Sequence, residues 1–273
     1  MKVAFQGEPG AYSEEAGFGY FDAPEMIPEE SFEAVFTAVV SGDCQAGLIP
    51  IENSLAGSIH QNYDLLLRHD LHIVGEYFLR VRHCLIGFPG VALTEIQRVI
   101  SHPQALGQCA GTLRELGVNT EPVYDTAGSV KMLQEGGERT MAAIASKRAA
   151  EIYGMQILQE SIEDNPENYT RFLEIRPEPV TPEGEAKTSI VFTLKNTPGA
   201  LFKALSVFAL RDIDLTKIES RPLAGKPWEY LFYIDFVGAI QNETVKRALD
   251  HLGEYALMLR VLGSYLRFRS NQS

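Results

Sequence analysis

The sequence predicts a large α/β region followed by a smaller α+β region. From Lys2 to about Arg176, short apolar segments alternate with amphipathic ones, and small polar turns separate them. This alternation of strands and helices favours an α/β fold with largely parallel sheets. A stretch rich in Pro and Glu, residues 176–185, then interrupts the pattern and is typical of a linker. Beyond it the predicted order is βαββαβ, the ferredoxin-like layout.

In the first region, each predicted strand leads into a polar turn and a helix. Strands are predicted at residues 2–5, 46–49, 98–100, 122–124 and 141–145, with two longer strand segments within 71–87. Helices are predicted to follow at Ser13, Asn53, Pro103, Thr126 and Ser146. Another begins after Ser31, because apolar residues then recur with helical spacing from Phe32 to Val40. Backbone N–H groups at such helix starts bind anions well.

In the second region, alternating apolar residues predict strands around 190–194, 215–220, 230–236 and 258–268. Two helices lie between them. Thr197 and Pro198 are predicted as the N-cap and first residue of one, and Asn242 as the cap of the other.

The composition of the chain argues against several classes of function. The chain has 273 residues, of which 45% are hydrophobic, so it can bury a core. Its formal charge of −12 argues against nucleic-acid binding, and no apolar run is long enough to span a membrane. The N-terminus resembles neither a signal nor a transit peptide, so we expect a cytoplasmic protein. An anionic substrate would need local positive potential from an Arg or from helix N-termini.

Neither a metal nor an organic cofactor is expected. The three cysteines, Cys44, Cys84 and Cys109, have no C-x-x-C spacing, and the glycines after the first strand match no nucleotide-binding motif. His83-Cys84 is a poor nucleophilic dyad, because neighbours on a strand face apart. His83 and His102 are interpreted as structural hydrogen-bonding residues.

Several distinctive motifs run through the chain. The most informative are Thr170-Arg171-Phe172, which ends an acidic loop, and the segment LTKIESRP at 215–222. Further motifs are GEPGAYS at 7–13, PIENS at 50–54, RHCLIG at 82–87, SHPQAL at 101–106 and DTAG at 125–128. In this order and in a chain of this length, they resemble prephenate dehydratase with a C-terminal ACT regulatory domain.

The resemblance implies a catalytic domain at 1–177, a linker at 178–187 and an ACT domain at 188–273. The catalytic domain would have two solute-binding-protein-like lobes, with chain crossings near 76–80 and 155–160. The implied enzyme dehydrates and decarboxylates prephenate to phenylpyruvate and is inhibited by L-phenylalanine, as a homodimer or homotetramer. Two alternatives stay open: an arogenate dehydratase, whose substrate carries an amino group in place of the ketone, and a non-catalytic amino-acid-binding regulator.

By this resemblance, Thr170 donates a proton to the departing hydroxide, and Arg171 and Phe172 bind substrate. Arg171 would pair with a carboxylate, although adjacent strand residues face opposite sides. The other expected substrate-binding residues are neutral hydrogen-bonding groups at turns, for which helix capping is the alternative role. They are Ser13, Asn53, Ser54, Gln104 and Thr126.

Two motifs of the second region are implied to form the phenylalanine site between neighbouring ACT domains. The first comprises Gly199, Ala200, Leu201 and Phe202, and the second Glu219, Ser220, Arg221 and Pro222. A helix N-terminus suits the carboxylate of an amino acid, and Glu219 suits its ammonium. Phe202 departs from the Val that is common in this family, which predicts a narrower pocket or a changed effector preference.

Overall fold

The structure is a computed structural model that describes residues 1–223 and 229–268. The chain divides into two compact units. The first comprises Met1–His69 and Tyr77–Leu173, and the second Asp70–Glu76 and Glu174–Ser273. The second unit therefore takes a short segment from the middle of the first region as well as the whole C-terminal part.

The helices are α1 (Tyr12–Tyr20), α2 (Phe32–Val40), α3 (His60–Arg68), α4 (Pro103–Gln108), α5 (Ala110–Leu116), α6 (Thr126–Gly136), α7 (Lys147–Ile152), α8 (Ala200–Ala209) and α9 (Glu243–Tyr255). The strands of the first region are β1 (Lys2–Gln6), β2 (Glu25–Glu29), β3 (Ala46–Asn53), β4 (Gly57–Ser58), β5 (His72–Arg80), β6 (Cys84–Gly87), β7 (Arg98–Ser101), β8 (Asn119–Pro122), β9 (Met141–Ala145), β10 (Gln156–Gln159) and β11 (Tyr169–Arg176). Those of the second region are β12 (Ala186–Leu194), β13 (Leu215–Pro222), β14 (Tyr230–Val237) and β15 (Ala256–Leu266).

The first sheet has the strand order β2-β1-β3-β11-β5, with the short β4 paired to β3. Strand β1 runs parallel to both β2 and β3, as the alternating pattern predicts. Val3, Ala4 and Phe5 of β1 are fully buried. The predicted cap of α2 is confirmed, because the Ser31 hydroxyl accepts a hydrogen bond of 3.2 Å from the Ala34 amide.

The second sheet has the order β10-β6-β9-β7-β8 and is mixed. Strand β7 is parallel to β8 and β9, whereas β6 is antiparallel to β9 and β10. All five residues of β9 are buried, which makes it the centre of this lobe. The chain leaves the first sheet after β5, enters the second at β6, and returns between β10 and β11. The expected largely parallel sheets are therefore mixed in this lobe.

The C-terminal region confirms the predicted βαββαβ order, in an antiparallel sheet of order β13-β14-β12-β15. Fully buried apolar residues of β12, β14, α8 and α9 form its core. One predicted boundary is wrong. Helix α8 begins at Ala200 with Gly199 as its N-cap, not at Pro198 with Thr197 as its N-cap. Gly199 has φ +77°, a left-handed conformation that favours glycine and turns the chain into the helix.

Asp70–Glu76 is tightly bound within the second unit. A Cβ built at Gly263 would lie 2.0 Å from the Ile73 carbonyl oxygen, so only glycine fits there. The buried Glu76 carboxylate accepts hydrogen bonds from Lys187 Nζ at 2.8 Å and from the Phe268 amide at 3.1 Å. Removing the C-terminal region would leave this carboxylate without two of its donors, which is costly for a buried charge.

Candidate active site

A cavity of about 460 Å³ lies in the first unit. Its walls include the starts of five helices and strand β11, and Phe32 is the contribution of α2. The helix starts contribute Ala11, Tyr12 and Ser13 (α1), Ile59 (α3), His102, Gln104 and Ala105 (α4), and Asp125 and Thr126 (α6). Strand β11 contributes Thr170 and Phe172, and Asn53 closes the wall beside them. Several motifs that are remote in sequence thus meet at one cavity.

The charged residues that line the cavity differ from those of most anion-binding sites. Among the described residues that line it, none is Lys or Arg, and the one carboxylate belongs to Asp125. Positive potential must therefore come from the partial charges at the N-termini of α1 and α3, each nine residues long, because the carboxylate of Asp125 already occupies the N-terminus of α6. Of the two sources of positive potential considered from the sequence, the structure provides the helix N-termini.

Thr170 lies in this cavity with a defined hydrogen-bond partner. Thr170 is 9% exposed. Its Oγ1 accepts a hydrogen bond of 3.0 Å from Asn53 Nδ2. The direction of this bond is settled by the other end of the Asn53 amide, where Oδ1 accepts from the Leu55 and Ala56 amides at 3.1 and 2.9 Å. Because Oγ1 accepts this bond, the hydroxyl hydrogen stays available for donation.

A partly buried hydrogen-bonded network extends from Asn53. Its Nδ2 also donates to Asn168 Oδ1 at 2.8 Å, and Asn168 Nδ2 donates to Gln108 Oε1 at 2.9 Å. The same Gln108 oxygen lies 2.8 Å from His83 Nε2, and His83 Nδ1 lies 2.7 Å from the Tyr12 hydroxyl. The side chains form one series from the start of α1 to Thr170, which we call the Asn53 network: Tyr12, His83, Gln108, Asn168, Asn53 and Thr170.

The orientation of the Asn53 network fixes the tautomer of His83. Since Gln108 Oε1 accepts from Asn168, it must also accept from His83, so Nε2 carries hydrogen. Burial lowers the pKa of His83, although the hydrogen bond to Gln108 opposes that shift. A neutral ring with hydrogen on Nε2 accepts at Nδ1, which makes the Tyr12 hydroxyl the donor of that bond, and the Arg82 carbonyl is a second acceptor 3.0 Å from the same hydroxyl. The interpretation of His83 as a structural hydrogen-bonding residue fits this arrangement.

Six of the predicted site residues line the cavity, and two do not. Those that do are Thr170, Phe172, Asn53, Ser13, Gln104 and Thr126. Arg171 is absent from the lining, because it alternates with Thr170 and Phe172 along β11 and so takes the opposite face. Ser54 anchors the loop before Thr170: its hydroxyl donates to the Glu167 carbonyl at 2.8 Å and accepts from the Tyr169 amide at 2.9 Å. Direct substrate contact by Arg171 or Ser54 therefore has no support from their positions.

Sequence reasoning missed several further polar residues of this region, Tyr12 and Asp125 among them. Gln108 and Asn168 form hydrogen bonds with residues that are distant in the sequence, and no local pattern marks them. His102, interpreted from the sequence as structural, caps α4 by accepting a bond of 3.2 Å from the Gln104 amide at Nδ1, and its ring also lines the cavity. A neutral His102 with Nδ1 as acceptor carries its hydrogen on Nε2.

Asp125 is the N-cap of α6 and lines the same cavity. Its Oδ1 accepts a hydrogen bond of 2.7 Å from the Gly128 amide. Burial raises the pKa of this carboxyl above its ordinary value, and the nearby Glu8 carboxylate raises it further. The backbone hydrogen bonds and His102 act in the opposite direction. Asp125 thus places the acidic side chain of the described cavity lining at the start of α6.

The cysteines offer no activated nucleophile. All three are free and buried. Burial raises the pKa of Cys84 to about 11 and that of Cys109 further still, so both thiols are protonated near neutral pH. Within residues 1–223 and 229–268, no group of three or more His, Cys, Asp or Glu side chains is placed to hold a metal ion. Among the helices of the same residues, none has both the length and the hydropathy that a membrane span requires.

A second cavity, of about 200 Å³, lies in the C-terminal region of the second unit. The predicted effector residues Gly199, Ala200, Leu201 and Phe202 line it, together with Tyr230 and Phe232 of β14. Phe202 is 77% exposed, so its ring is largely open to solvent in a single chain.

The second predicted effector motif lies on the neighbouring edge strand, β13. Glu219, Ser220, Arg221 and Pro222 pair with Tyr233, Phe232, Leu231 and Tyr230 of β14, and none of the four lines the second cavity. Exposure alternates along β13, so Glu219 and Ser220 face opposite sides of the sheet. The two motifs therefore do not form one pocket within a single chain.

Comparison with known proteins gives concordant matches. The family model described as prephenate dehydratase matches residues 3–180, and the ACT domain model matches residues 188–254. The chain is 51% identical to arogenate dehydratase/prephenate dehydratase 2, chloroplastic, of Arabidopsis thaliana, with 97% of this chain and 72% of the relative covered. It is 48% identical to arogenate dehydratase 2 of Petunia hybrida, with 97% and 71% covered.

Solved structures agree over the full length. Prephenate dehydratase from Arthrobacter aurescens, in complex with L-Phe, superposes with a TM-score of 0.90 at 31% identity, covering 98% of this chain and 90% of that one. GqqA, described as a novel type of quorum quenching acylase, superposes with a TM-score of 0.92 at 36% identity, with 98% of each chain covered.

The Asn53 network generates a stability prediction. Asn168 is fully buried, and its replacement by Ala removes partners from both Asn53 Nδ2 and Gln108 Oε1. We expect Asn168→Ala to lower the free energy of unfolding by about 1–3 kcal/mol, as measured by urea denaturation. The control is Asn119→Ala on the exposed strand β8, for which the change should stay within about 0.5 kcal/mol. Equal effects of the two substitutions would show that the network adds nothing to stability.

Proposed function

The chain belongs to the prephenate dehydratase family of hydro-lyases, and we propose that it converts prephenate to phenylpyruvate, water and carbon dioxide. The observation that supports this substrate and mechanism most strongly is the position of Thr170 in the cavity. Asn53 donates to its oxygen at 3.0 Å, so its hydrogen is available to a group bound beside it. Family membership also sets aside the alternative of a non-catalytic regulator.

In the proposed reaction, the ring loses carbon dioxide and hydroxide together. The electron pair of the bond to the carboxylate enters the ring, and the carbon–oxygen bond breaks with its pair on the departing oxygen. The Thr170 hydroxyl donates its proton to that oxygen, which leaves as water, and solvent returns a proton to Thr170. A threonine hydroxyl is a weak acid, so it suffices only because aromatisation drives the reaction. The bond from Asn53 assists, since it stabilises negative charge on Thr170 Oγ1.

The proposed substrate carries two carboxylates, and the cavity meets them without a Lys or Arg among its described lining residues. We assign them to the starts of α1 and α3, with Ser13 adding a hydroxyl donor at α1. Gln104 and the His102 ring supply further hydrogen-bond donors at α4. Phe172 packs against the ring of the substrate in this proposal.

Arogenate is the second candidate substrate. Several relatives, including the one that is 51% identical, are named as arogenate dehydratases. The structure adds a separate observation, since Asp125 places a carboxylate in a cavity that otherwise has neutral side chains among its described lining residues. A carboxylate suits the ammonium of arogenate better than the ketone of prephenate.

We assign catalysis to residues 1–177 and L-phenylalanine binding to the ACT domain at 188–273, joined by 178–187. The second cavity, at the start of α8, suits the carboxylate of an amino acid, and the related enzyme from Arthrobacter aurescens was crystallised with L-Phe. Because Glu219 and the α8 start lie apart within one chain, a complete effector site needs a second copy, which favours a homodimer or homotetramer. A cytoplasmic location stays a prediction.

The proposed role of Thr170 predicts a specific series of rates. Thr170→Ala and the isosteric Thr170→Val remove the hydroxyl and should lower kcat for phenylpyruvate formation from prephenate by about 10²–10⁴-fold. Thr170→Ser keeps the hydroxyl and should retain much more activity. If the Val variant matched the wild type, Thr170 would have no part in proton transfer, and turnover of neither prephenate nor arogenate by the wild type would reject the proposed function.

The proposed effector site predicts a change in inhibition without a change in catalysis. Glu219→Gln removes the charge assigned to the ammonium and should raise the L-phenylalanine concentration for half-inhibition at least fivefold, while the uninhibited kcat stays at the wild-type value. Ser220→Ala should weaken inhibition as well, through the opposite face of β13. Glu243→Gln, a matched change at the exposed start of α9, is the control. Unchanged L-phenylalanine binding in both β13 variants would place the effector site elsewhere.

A further inference from the structure

Asp125 caps helix α6, but its carboxylate can accept more hydrogen bonds than the cap uses. Its carboxylate accepts hydrogen bonds from the backbone of Gly128, at 2.7 Å, and of Ala127. An ionised carboxylate offers about four acceptor positions, so these two bonds leave capacity for a ligand. Since the residue also lines the cavity, a bound substrate lies within reach of it.

Two charged neighbours act on Asp125 in opposite directions. Glu8 contributes a second negative charge that acts on Asp125, and Lys131, the described cation beside Glu8, binds Glu8 at 3.2 Å. His102 is the cavity residue that attracts the Asp125 carboxylate. A neutral or negative substrate group placed here gains little, whereas an ammonium gains a charge-assisted hydrogen bond.

We propose that Asp125 is the residue that selects between the two candidate substrates, by accepting a hydrogen bond from the ammonium of arogenate. This inference rests on the proposed function, because it assumes dehydration in this cavity. Prephenate has a ketone at the corresponding atom and no hydrogen to donate, so the same carboxylate repels it. Hydrogen bonds to charged groups are strong enough for a preference of about ten- to hundredfold.

A purely structural role for Asp125 makes a different prediction. If the side chain served only as the N-cap of α6, a substitution would act on folding and on both substrates equally. Asn is as good an N-cap as Asp and has nearly the same shape. Asp125→Asn therefore keeps the cap to Gly128 and removes only the charge, which separates the two roles.

The experiment measures kcat/KM for arogenate and for prephenate with the full-length wild type, Asp125→Asn and the control Glu8→Gln. Glu8 is an acidic neighbour of Asp125 that does not line the cavity. We expect the wild type to prefer arogenate, the ratio of the two kcat/KM values to fall at least tenfold in Asp125→Asn, and the ratio in Glu8→Gln to stay within threefold of the wild type. If Asp125→Asn folds poorly, Asp125→Ser provides a second neutral cap.

The outcomes are distinguishable. A ratio that is unchanged in the Asp125 variants, or a wild type that prefers prephenate, overturns the selective role of Asp125 and leaves the dehydratase function standing. An equal fall in Glu8→Gln would mean that general negative potential, not contact with Asp125, sets the preference, which also overturns the proposal. A wild type that acts on neither substrate removes the proposed function and this inference together.

Discussion

The chemistry proposed here depends on the orientation of one side-chain amide, that of Asn53. The Leu55 and Ala56 amides hold Oδ1, so Nδ2 must point to Asn168 and Thr170. With the reverse orientation, an acceptor would face Thr170 and take its only hydrogen. The turn after β3 thus determines whether the Thr170 hydroxyl acts as a donor towards the cavity. The buried Asn168 and His83 side chains and the half-buried Gln108 hold that orientation from the far side.

Helix N-termini supply the positive potential that an anionic substrate needs and that the overall negative charge of the protein does not provide. A chain with a formal charge of −12 repels an anionic substrate, and no Lys or Arg compensates among the described lining residues. The partial positive charges of helix starts act only within about the first turn. They can therefore attract a carboxylate locally and still leave room for a single acidic side chain, Asp125, at one end of the cavity.

Local patterns in the sequence predicted local structure well. The Ser31 cap, the alternation that separates Arg171 from Thr170 and the βαββαβ order all follow from near neighbours in the chain. The errors also have local causes. The turn after Asn53 contains β4 before α3 begins at His60, and the positive φ of Gly199 displaces the start of α8.

Long-range contacts could not be predicted in the same way. The Asn53–Asn168 pair is 115 residues apart and the His83–Gln108 pair 25, so only the folded sheets bring them together. The packing of Asp70–Glu76 with the C-terminal region is a similar case, because nothing in the sequence of that segment indicates its partners. The sequence did indicate the cavity residues that belong to motifs, but not the network that orients them.

The most direct test of this account is the kcat of Asn53→Asp with prephenate. An Asp at this position keeps acceptors for the Leu55 and Ala56 amides and replaces the donor facing Thr170 by a carboxylate oxygen. The hydroxyl of Thr170 then donates to that oxygen, so kcat should fall about as far as in Thr170→Val, and the double variant should lose no more than about threefold further. A folded Asn53→Asp protein with wild-type kcat would contradict the proposed proton donation.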